Sequence, residues 1–548
     1  MPFLSNDIRN RLRLDPNLGA GNFLHHALAV SLQNDLPLVF SATPFIVPGG
    51  GSRSELSITE LASIARQYSA WYLRRGVGPT DPVALYFEDS LQCLIQYLAV
   101  TAIGAVPVLT NGMMDTAVAA RHFERVGVVG AMTDHARLAT LGAHLDVGRL
   151  KFIDCLEEVA GVHAIPLPSW YPFKHNNDDP VMITHSSGTT GVPKAVVLQH
   201  GGWFHGVRQL LGLDLAQGAS RYLSALPVSH NASIAYAMHA ILNGAAFMCI
   251  PSLDIQALAR EIADFRPATV LAFSHSFVRL AELDRSGFDF SSVTTWINSG
   301  DAAHEPHIRR LVANGYHYRG TERVVGSQFV DGFGASELGH SSLRVIHTPY
   351  TSNYDRCIGV PQSWVDVAVF DADGRRVPTG VIGQLGVRSP SVTPGYWNDS
   401  LLTYRSRLHG YWLTGDLVYR GADGCYYHVD RTSDIVRTAR GPLYSLQTEE
   451  SVLQAHGHQI ADCTVVGVAA VDGGVEEAVL LAIPIPGTAI DVSELLSTIN
   501  RAQDSLGRPR LARVQSSRWS DIPLGLTGKV LKRALRKRLA PFGNQIGS

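Results

Sequence analysis

The stretch that decides how this chain is interpreted reads Ile183-Thr184-His185-Ser186-Ser187-Gly188-Thr189-Thr190-Gly191-Val192-Pro193-Lys194-Ala195-Val196. Its glycines allow a close backbone approach, its hydroxyl groups donate hydrogen bonds and its lysine is positively charged, which together suit the oxygens of a phosphate chain. Apolar residues on both sides predict two strands, Val181–Ile183 and Ala195–Leu198, so the stretch forms a hairpin tip. A nucleotide-binding P-loop is excluded because a proline separates the last glycine from the lysine. The alternative interpretation is a flexible surface turn.

The composition of the 548 residues is that of a folded protein with a large buried core. Hydrophobic residues make up 45% of the chain, charged residues 17%, and the formal net charge is −2. With so little net charge there is no electrostatic basis for binding nucleic acid or acidic lipid. We therefore expect no nucleic-acid partner.

The cysteines and the N-terminal region favour a cytoplasmic location. The six cysteines show no paired spacing, which is typical of reduced thiols rather than disulfides or a zinc site: Cys93, Cys155, Cys249, Cys357, Cys425 and Cys463. Residues 1–14 do not resemble a signal peptide. The apolar stretch from Phe23 to Phe40 is interrupted by polar residues and a proline, so no membrane span is expected.

Strand and helix patterns alternate through most of the chain. One example is a strand at Pro82–Tyr86 followed by a helix at Ser90–Ile103. This alternation predicts an α/β fold with much parallel sheet. From about residue 365, short strands joined by Asp-Gly turns predict a barrel-like part that extends to residue 430. We expect a large α/β domain over residues 1–430, a hinge at Asp430–Asp434, and a small mobile α+β domain over residues 431–548.

Five further segments carry polar groups beside glycine turns or strand ends. They are His230-Asn231, Asp331-Gly332-Phe333-Gly334-Ala335-Ser336-Glu337, Thr414-Gly415-Asp416, Asp430-Arg431 and Thr527-Gly528-Lys529. An aromatic ring between glycines can stack on a purine, and a carboxylate beside phosphates is a natural Mg²⁺ ligand. Each segment alone is also compatible with a structural role. Only their order along the chain is specific.

Taken together, these segments resemble the adenylate-forming (AMP-binding) superfamily of acyl- and aryl-CoA ligases, peptide-synthetase adenylation domains and luciferases. The resemblance begins near Ser57-Ile58-Thr59 and ends at Lys529. The stretch from Ser186 to Lys194 is similar to the family's phosphate loop nearly letter for letter, and Gly395-Tyr396-Trp397 belongs to its barrel-region signature. The implied fold is a large N-terminal domain of α/β layers with a barrel-like part, followed by a small C-terminal domain.

The resemblance also implies roles for individual residues. The implied ATP-binding residues are Ser186, Ser187, Gly188, Thr189, Thr190, Gly191, Lys194, Gly300, Asp301, Ala302, Asp331, Gly332, Phe333, Gly334, Ser336, Asp416 and Arg431. Glu337 is the expected Mg²⁺ ligand, and Lys529, His230 and Arg431 are the expected catalytic residues. His230, Asn231 and Gly334 are expected to contact the acid, and the small domain is expected to rotate about Ser433.

By the same resemblance, the expected reaction begins with ATP and a carboxylic acid, which give an acyl-adenylate and pyrophosphate. The acyl group then passes to the thiol of CoA or of a carrier protein's phosphopantetheine. The His230-Asn231 pair is similar to that of members that activate aryl acids. An asparagine in place of an aspartate argues against an α-amino acid, so an aryl or medium-chain acid is expected.

One departure from the family leaves the acceptor open. Many relatives have a Lys-Gly-Tyr hairpin that helps to bind the thiol, whereas this chain has Arg440-Gly441-Pro442-Leu443-Tyr444-Ser445. The same adenylation chemistry with an amine acceptor, as in an amide synthetase, is therefore an alternative. So is adenylation of nitrite for the diazotisation of an aryl amine. A non-catalytic binding protein is disfavoured by the intact charged residues, luciferase-like oxidation has no distinguishing feature, and the oligomeric state is open.

Overall fold

The computed structural model describes residues 4–48, 51–159, 166–186, 192–212, 221–250, 254–284, 286–300, 303–352, 354–469, 475–525 and 528–540. Helices are distributed along the whole described chain. In chain order they are α1 (Asn6–Leu14), α2 (Phe23–Val30), α3 (Ile58–Arg74), α4 (Gln92–Thr101), α5 (Thr116–Val126), α6 (His135–Leu141), α7 (His200–Leu211), α8 (Asn231–Leu242), α9 (Ile255–Phe265), α10 (Ser274–Glu282), α11 (Glu305–Val312), α12 (Ser400–Arg405), α13 (Ser445–His456), α14 (Val492–Ser505) and α15 (Lys532–Leu539).

Strands alternate with these helices. In chain order they are β1 (Pro37–Ile46), β2 (Ser52–Ser57), β3 (Pro82–Tyr86), β4 (Val106–Leu109), β5 (Gly130–Thr133), β6 (Phe152–Cys155), β7 (Pro180–Ser186), β8 (Lys194–Gln199), β9 (Arg221–Ser224), β10 (Ala246–Cys249), β11 (Thr269–Phe273), β12 (Thr295–Ser299), β13 (Tyr316–Arg319), β14 (Glu322–Val325), β15 (Gln328–Phe333), β16 (Leu343–His347), β17 (Cys357–Pro361), β18 (Asp366–Phe370), β19 (Gly383–Arg388), β20 (Arg407–Leu408), β21 (Tyr411–Arg420), β22 (Tyr426–Arg431), β23 (Val436–Thr438), β24 (Gly441–Leu443), β25 (Ile460–Ala469), β26 (Glu476–Pro484) and β27 (Arg513–Ser516).

The three largest of the five sheets contain most strands of the described chain. The main sheet has the order β18-β19-β21-β22-β17-β16-β15-β12-β11-β9-β10-β1-β2, and within it β15, β12, β11, β9, β10 and β1 run parallel to one another, whereas β15 is antiparallel to β16. The second sheet has the order β6-β5-β3-β4-β7-β8, and the third has the order β25-β26-β27. The predicted α/β class with parallel layers is therefore confirmed, and strands β18, β19, β21 and β22, between residues 365 and 431, pair antiparallel. The proposed domain boundary at residue 430 stays a prediction.

Helix α3 illustrates how the local sequence gives these elements. The Ser57 Oγ accepts a hydrogen bond from the Glu60 backbone N–H, and the Glu60 carboxylate accepts one from the Ser57 N–H. This capping box satisfies two backbone donors at the helix start. The apolar residues Leu61, Tyr68 and Tyr72 follow at helical spacing and are fully buried. Capping and apolar periodicity therefore account for this helix locally.

The hairpin predicted around the opening stretch is confirmed. Strands β7 and β8 are antiparallel, with His185 opposite Ala195 and Ser186 opposite Lys194. The residues between them, Ser187 to Gly191, lie outside the described residues. The strands place Ser186 and Lys194 beside each other at the end of the second sheet.

No helix among the described residues is long and apolar enough to cross a lipid bilayer, as the interrupted apolar stretch near the N-terminus led us to expect.

Candidate active site

A cavity of about 860 Å³ lies at the carboxyl ends of β9, β11, β12 and β15. Because these adjacent strands are parallel, the segments that follow them meet at one edge of the main sheet, which is the usual position of a ligand site in such sheets. The second sheet adds the tip of the β7–β8 hairpin, and the segment before α15 adds a lysine from the C-terminal part. Three regions distant in sequence therefore enclose one cavity.

The structure brings many of the predicted site residues together in the wall of this cavity. Those that line the cavity are Ser186, Lys194, His230, Asn231, Gly300, Gly332, Gly334, Ser336, Glu337, Arg431 and Lys529. Asp331, Phe333, Asp416 and Ser433 do not line it. Seven predicted residues lie outside the described part of the chain: Ser187, Gly188, Thr189, Thr190, Gly191, Asp301 and Ala302.

Tyr396 connects the lysine of the hairpin with the predicted metal ligand. The Tyr396 hydroxyl donates to Glu337 Oε1 at 2.9 Å, and Lys194 Nζ lies 3.4 Å from the same hydroxyl. Burial and the neighbouring Glu337 carboxylate raise the pKa of Tyr396, so the phenol keeps its proton and remains a donor. The sequence placed Tyr396 in a family signature without giving it a role.

The surroundings of Glu337 fit a magnesium ion. Its side chain is 9% exposed and lines the cavity. Among the described residues no cationic group lies within 4 Å of its carboxylate, and the hydrogen bond from Tyr396 leaves further acceptor positions. Mg²⁺ is commonly bound by one or two carboxylates together with phosphate and water oxygens. A single carboxylate beside Lys194 and Ser186 is compatible with that pattern.

Asp416 and Arg431 form an ion pair at the cavity edge. Arg431 Nε lies 3.3 Å from Asp416 Oδ1, and His428 Nε2 lies 3.3 Å from the same oxygen. Burial acts to raise the pKa of Asp416, but the Arg431 charge and the His428 ring outweigh it and hold that pKa at about 2. The Phe333 ring meets His428 edge to face at 5.8 Å between centroids. The carboxylate is therefore ionised over the whole physiological pH range.

Lys529 lies in the cavity wall beside Gly300. Gly300 has φ of +99°, and a Cβ atom there would lie 2.8 Å from Phe273 Cδ1 and 3.8 Å from Lys529 Cε. A side chain at this position would be strained and would displace Phe273. The positive charge of Lys529 also contributes to lowering the pKa of His230. In this arrangement the C-terminal lysine and the end of β12 share one side of the cavity.

Two half-buried histidines contribute neutral rings to the cavity wall. Burial is the main cause that lowers the pKa of His185 to about 3 and that of His230 to about 4, and the charge of Lys529 adds to the effect on His230. His185 Nε2 accepts from the Asn111 backbone N–H at 3.2 Å, and His230 Nδ1 accepts from the Ala232 N–H at 3.2 Å. In each neutral ring the remaining nitrogen therefore carries the hydrogen and is a donor. No sequence pattern indicated a role for His185.

Asp331 and Ser433 have contacts outside the cavity wall. Asn298 Nδ2 donates to Asp331 Oδ1 at 2.9 Å. The Ser433 carbonyl accepts from Arg536 at 3.1 Å. Asn231, which does line the cavity, has a buried Oδ1 without a hydrogen-bond partner. The roles implied for these residues stay predictions.

A buried ion pair joins the C-terminal part to the rest of the chain. Glu450 of α13 accepts from His304 Nδ1 at 2.6 Å, and Arg356 lies 3.8 Å from the same carboxylate. Burial disfavours the charge, but His304 and Arg356 hold the pKa of Glu450 at about 2. His304 and Glu450 are 146 positions apart in the chain, so no local sequence pattern predicts this ion pair. The structure that contains this ion pair also has Lys529 in the cavity wall.

Comparison with known proteins adds a family and full-length relatives. A family model described as "AMP-binding enzyme" matches residues 38–397. A 3-aminoavenalumate diazotase from Streptomyces sp is 39% identical, and the match covers 98% of this chain and 99% of the relative. A 3-amino-2-hydroxy-4-methoxybenzoate diazotase from Streptomyces cremeus is 26% identical and covers 93% of each chain.

Solved structures share the fold. An anthranilate CoA ligase in complex with anthranoyl-AMP superposes with a TM-score of 0.81 at 18% identity, covering 98% of this chain and 99% of that one. An amide bond synthetase from Marinactinospora thermotolerans gives a TM-score of 0.77 at 20% identity, covering 95% of this chain and 100% of that one. At these identities the likeness concerns the fold alone.

Proposed function

The chain belongs to the AMP-binding enzyme family, and from that membership we propose that it adenylates nitrite with ATP and transfers the nitrosyl group to an aryl amine. The product of this diazotisation is an aryl diazonium ion. The observation that carries the proposal is the similarity to a Streptomyces diazotase over essentially the whole length of both chains. Diazotisation with nitrite is one of the alternatives that the sequence leaves open, and we favour it over transfer to a thiol.

The first step follows from the charged residues around the cavity. A nitrite oxygen attacks the α-phosphorus of ATP, pyrophosphate leaves, and the product is an O=N–O–AMP anhydride. Lys194 and Lys529 would neutralise the charge that develops on the phosphate oxygens, with the Asp416–Arg431 pair at the ribose. Mg²⁺ held at Glu337 would supply further neutralisation of the phosphate charge.

The second step uses the neutral side of the cavity. The amine nitrogen attacks the nitroso nitrogen, the N–O bond to AMP breaks, and the departing phosphate takes the amine proton. The resulting Ar–NH–N=O tautomerises to Ar–N=N–OH, which is protonated and loses water to give the diazonium ion. Because the free ring nitrogens of His185 and His230 are donors, they can hydrogen-bond the nitrite and phosphate oxygens without titrating.

The hairpin that departs from the family supports a non-thiol acceptor. Strands β23 and β24 pair with Arg437 opposite Pro442, so one residue of the hairpin has no backbone N–H to offer. Arg440 at its turn is paired with Asp504 at 3.1 Å rather than left for a ligand. The hairpin that contributes to thiol binding in relatives is thus altered in sequence, and its turn arginine forms an ion pair with Asp504 of α14.

The experiment that tests the proposal follows pyrophosphate and diazonium together. Purified protein is incubated at pH 8 with ATP, Mg²⁺, ¹⁵N-nitrite and a panel of aryl amines, and the diazonium ion is trapped by azo coupling to a naphthol. We expect pyrophosphate release that depends on nitrite, and an azo product that carries one ¹⁵N. A reaction without ATP controls for chemical diazotisation.

The two alternative reactions, thioester formation and amide formation, would give different products. If carboxylic acids release pyrophosphate without nitrite and CoA then yields a thioester, the protein is an acid–thiol ligase and the nitrite proposal is wrong. If amines alone turn over with those acids, the product is an amide instead. Offering CoA, amines and nitrite in parallel to each acid distinguishes the three by product mass.

A further inference from the structure

Asp89 is a half-buried carboxylate outside the cavity wall, and it accepts three hydrogen bonds from the segment that precedes α8. Its Oδ1 accepts from the backbone N–H of Val228 at 2.7 Å and from that of Ser229 at 3.3 Å. Its Oδ2 accepts from the Ser229 hydroxyl at 2.6 Å. Both carboxylate oxygens therefore bind two consecutive residues of one segment.

These hydrogen bonds hold the turn of residues 227–230, which ends in His230. The His230 backbone N–H donates to the Pro227 carbonyl at 3.0 Å, whereas the two amides between these residues donate to Asp89. Val228 and Ser229 are buried, so water does not replace the carboxylate as an acceptor for their amides. Asp89 therefore supplies the acceptor that the buried part of this turn needs.

His230 takes its place in the cavity wall directly after this turn. It is the N-cap residue of α8, and its ring meets the Phe273 ring edge to face at 5.2 Å between centroids. Its Nδ1 accepts from the Ala232 N–H at 3.2 Å, which leaves Nε2 as the donor of the neutral ring. Because His230 follows Ser229 in the chain, a shift of the turn would also shift this donor.

The carboxylate comes from the second sheet, whereas α8 follows β9 of the main sheet. Asp89 lies in the segment after β3, and the segment after the adjacent parallel strand β4 contains Asn111, whose backbone N–H donates to His185. The carboxyl ends of two neighbouring strands thus contact the supports of both neutral histidines of the cavity. The same sheet contains Lys194 in β8, so Asp89 ties the sheet of the phosphate loop to His230.

The surroundings of Asp89 stabilise its ionised form by hydrogen bonds rather than by a cation. Burial raises the pKa of Asp89 to about 6, and the hydrogen bonds from Ser229 and Val228 oppose that rise. Its titratable neighbours are two thiols, Cys93 of α4 with Sγ 3.8 Å from Oδ1 and Cys249 of β10, and burial raises the pKa of both. At pH 8 the carboxylate is therefore ionised and accepts from all three donors.

We propose that Asp89 is a positioning residue that acts through His230: by holding the turn of residues 227–230, it keeps the donor nitrogen of His230 in place for the nitrite and phosphate oxygens. This inference rests on the proposed function, in which His230 donates to those oxygens. A group displaced by about 1 Å from its productive position can cost on the order of 100-fold in rate. ATP contacts other residues, so its binding does not depend on Asp89.

The test is a double-mutant cycle between Asp89 and His230. The variants are Asp89→Asn, His230→Ala and the two combined, with Asp89→Leu as a more severe change. Asp81→Asn is the control, because Asp81 lies at the opposite end of β3, outside the cavity wall, where its carboxylate accepts from the Gly78 N–H at 2.9 Å. Nitrite-dependent pyrophosphate release gives kcat and the KM values for ATP and nitrite. Thermal melting establishes that each variant is folded.

We expect Asp89→Asn to lower kcat about 3- to 10-fold, because the amide keeps one acceptor oxygen but its NH₂ group cannot accept from the Ser229 hydroxyl. Asp89→Leu removes every acceptor and should lower kcat about 100-fold. The KM for ATP should stay within about twofold of the original value in both, and Asp81→Asn should keep the original kcat.

The cycle distinguishes positioning from a general contribution to the fold. In the His230→Ala background, Asp89→Asn should change kcat by less than about twofold, because the group that it positions is already absent. An equal loss in both backgrounds, or an unchanged kcat in Asp89→Asn, overturns the proposal. If Asp89→Leu does not fold, the cycle with Asp89→Asn decides.

Hydrogen exchange separates this inference from the proposed function, since it needs no turnover. Mass spectrometry of peptides that contain residues 226–234 should show exchange about tenfold faster in Asp89→Asn and unchanged in Asp81→Asn. Equal exchange in the original protein and Asp89→Asn contradicts the hold on the turn. If a carboxylic acid rather than nitrite releases pyrophosphate, the proposed function fails, and the same cycle with that acid still tests whether Asp89 acts through His230.

Discussion

Two groups of residues at the cavity differ in how their polar groups are partnered. In the group that we propose binds ATP (the phosphate end), Tyr396 joins Lys194 to Glu337, and Asp416 pairs directly with Arg431. At the start of α8, which we propose faces the second substrate (the substrate end), the Asn231 Oδ1 has no hydrogen-bond partner in the described chain. Preorganised charges suit a reaction step that a whole family shares. A polar group without a partner can instead gain its hydrogen bond from one particular substrate.

The difference also lies in charge. The phosphate end holds ionised groups whose mutual pairing keeps them charged, as the Asp416 pKa of about 2 indicates. By contrast, His185 and His230, which line the same cavity, are kept neutral mainly by burial. Ionised and neutral groups therefore meet in one cavity, which suits charge neutralisation at ATP together with a neutral amine nucleophile.

The largest effect is expected from Lys529→Ala at the phosphate end. Removal of a positive group that enters the cavity beside Gly300 should lower the rate of adenylation about 10³-fold, because the developing phosphate charge loses a preorganised partner. Nitrite-dependent pyrophosphate release measures the change. Lys537→Ala, an exposed lysine of α15, is the control and should keep the rate. A comparable loss in both variants would deny Lys529 a specific role.

The next effect concerns the neutral histidines and pH. In the folded protein the pKa values of His185 and His230 lie at about 3 and about 4, below the value of 6.5 expected for unfolded chains. The folded state therefore binds fewer protons, its stability is complete above pH 6.5, and each histidine costs about 1.4 kcal/mol per pH unit as pH falls from 6.5 toward 4.

Thermal unfolding midpoints at pH 7.5, 6.5, 5.5 and 4.5 measure this dependence. We expect the midpoint to fall most steeply below pH 6.5, and His185→Gln to make that fall shallower. Asp416, with its pKa of about 2, stays ionised throughout and does not contribute. A midpoint that is unchanged between pH 6.5 and 4.5 would contradict the neutral state of the buried rings.

A smaller effect is expected from Asn231→Asp at the substrate end. The new carboxylate would face the cavity where the amide oxygen now has no partner, and it would repel the nitrite anion. The KM for nitrite should rise about tenfold, with little change in the KM for ATP. Asn10→Asp on the exposed face of α1 serves as the matched control. An unchanged KM for nitrite would show that Asn231 does not lie near the bound nitrite.

The smallest effect is expected from Tyr396→Phe. Loss of the hydroxyl that donates to Glu337 removes one hydrogen bond and leaves both charges in place, so the rate should fall only about three- to tenfold. The Mg²⁺ concentration for half-maximal pyrophosphate release should shift, because Glu337 loses a group that orients it. Tyr404→Phe, at a 79% exposed tyrosine, should behave like the unchanged protein. A shift of equal size in that control would contradict the orienting role.

Much of the fold was predictable because local patterns specify it. Strands Pro82–Tyr86 and Thr269–Phe273 and helix Ile255–Phe265 follow from apolar periodicity bounded by turn and capping residues. The β7–β8 hairpin followed from two apolar runs around a Gly-rich loop. Tyr396, His185 and Glu450 were missed as functional or interface residues, since their partners lie 59, 74 and 146 positions away in the chain.

The sequence alone identified the family and the α/β class and predicted the phosphate-binding residues, because these depend on short contiguous motifs whose residue types are required at fixed spacing. The tertiary structure alone decided which side chains share the substrate end. The rings of His230 and Phe273 meet edge to face at 5.2 Å between centroids only because the sheet places the end of β11 beside the start of α8, and burial there keeps the His230 ring neutral.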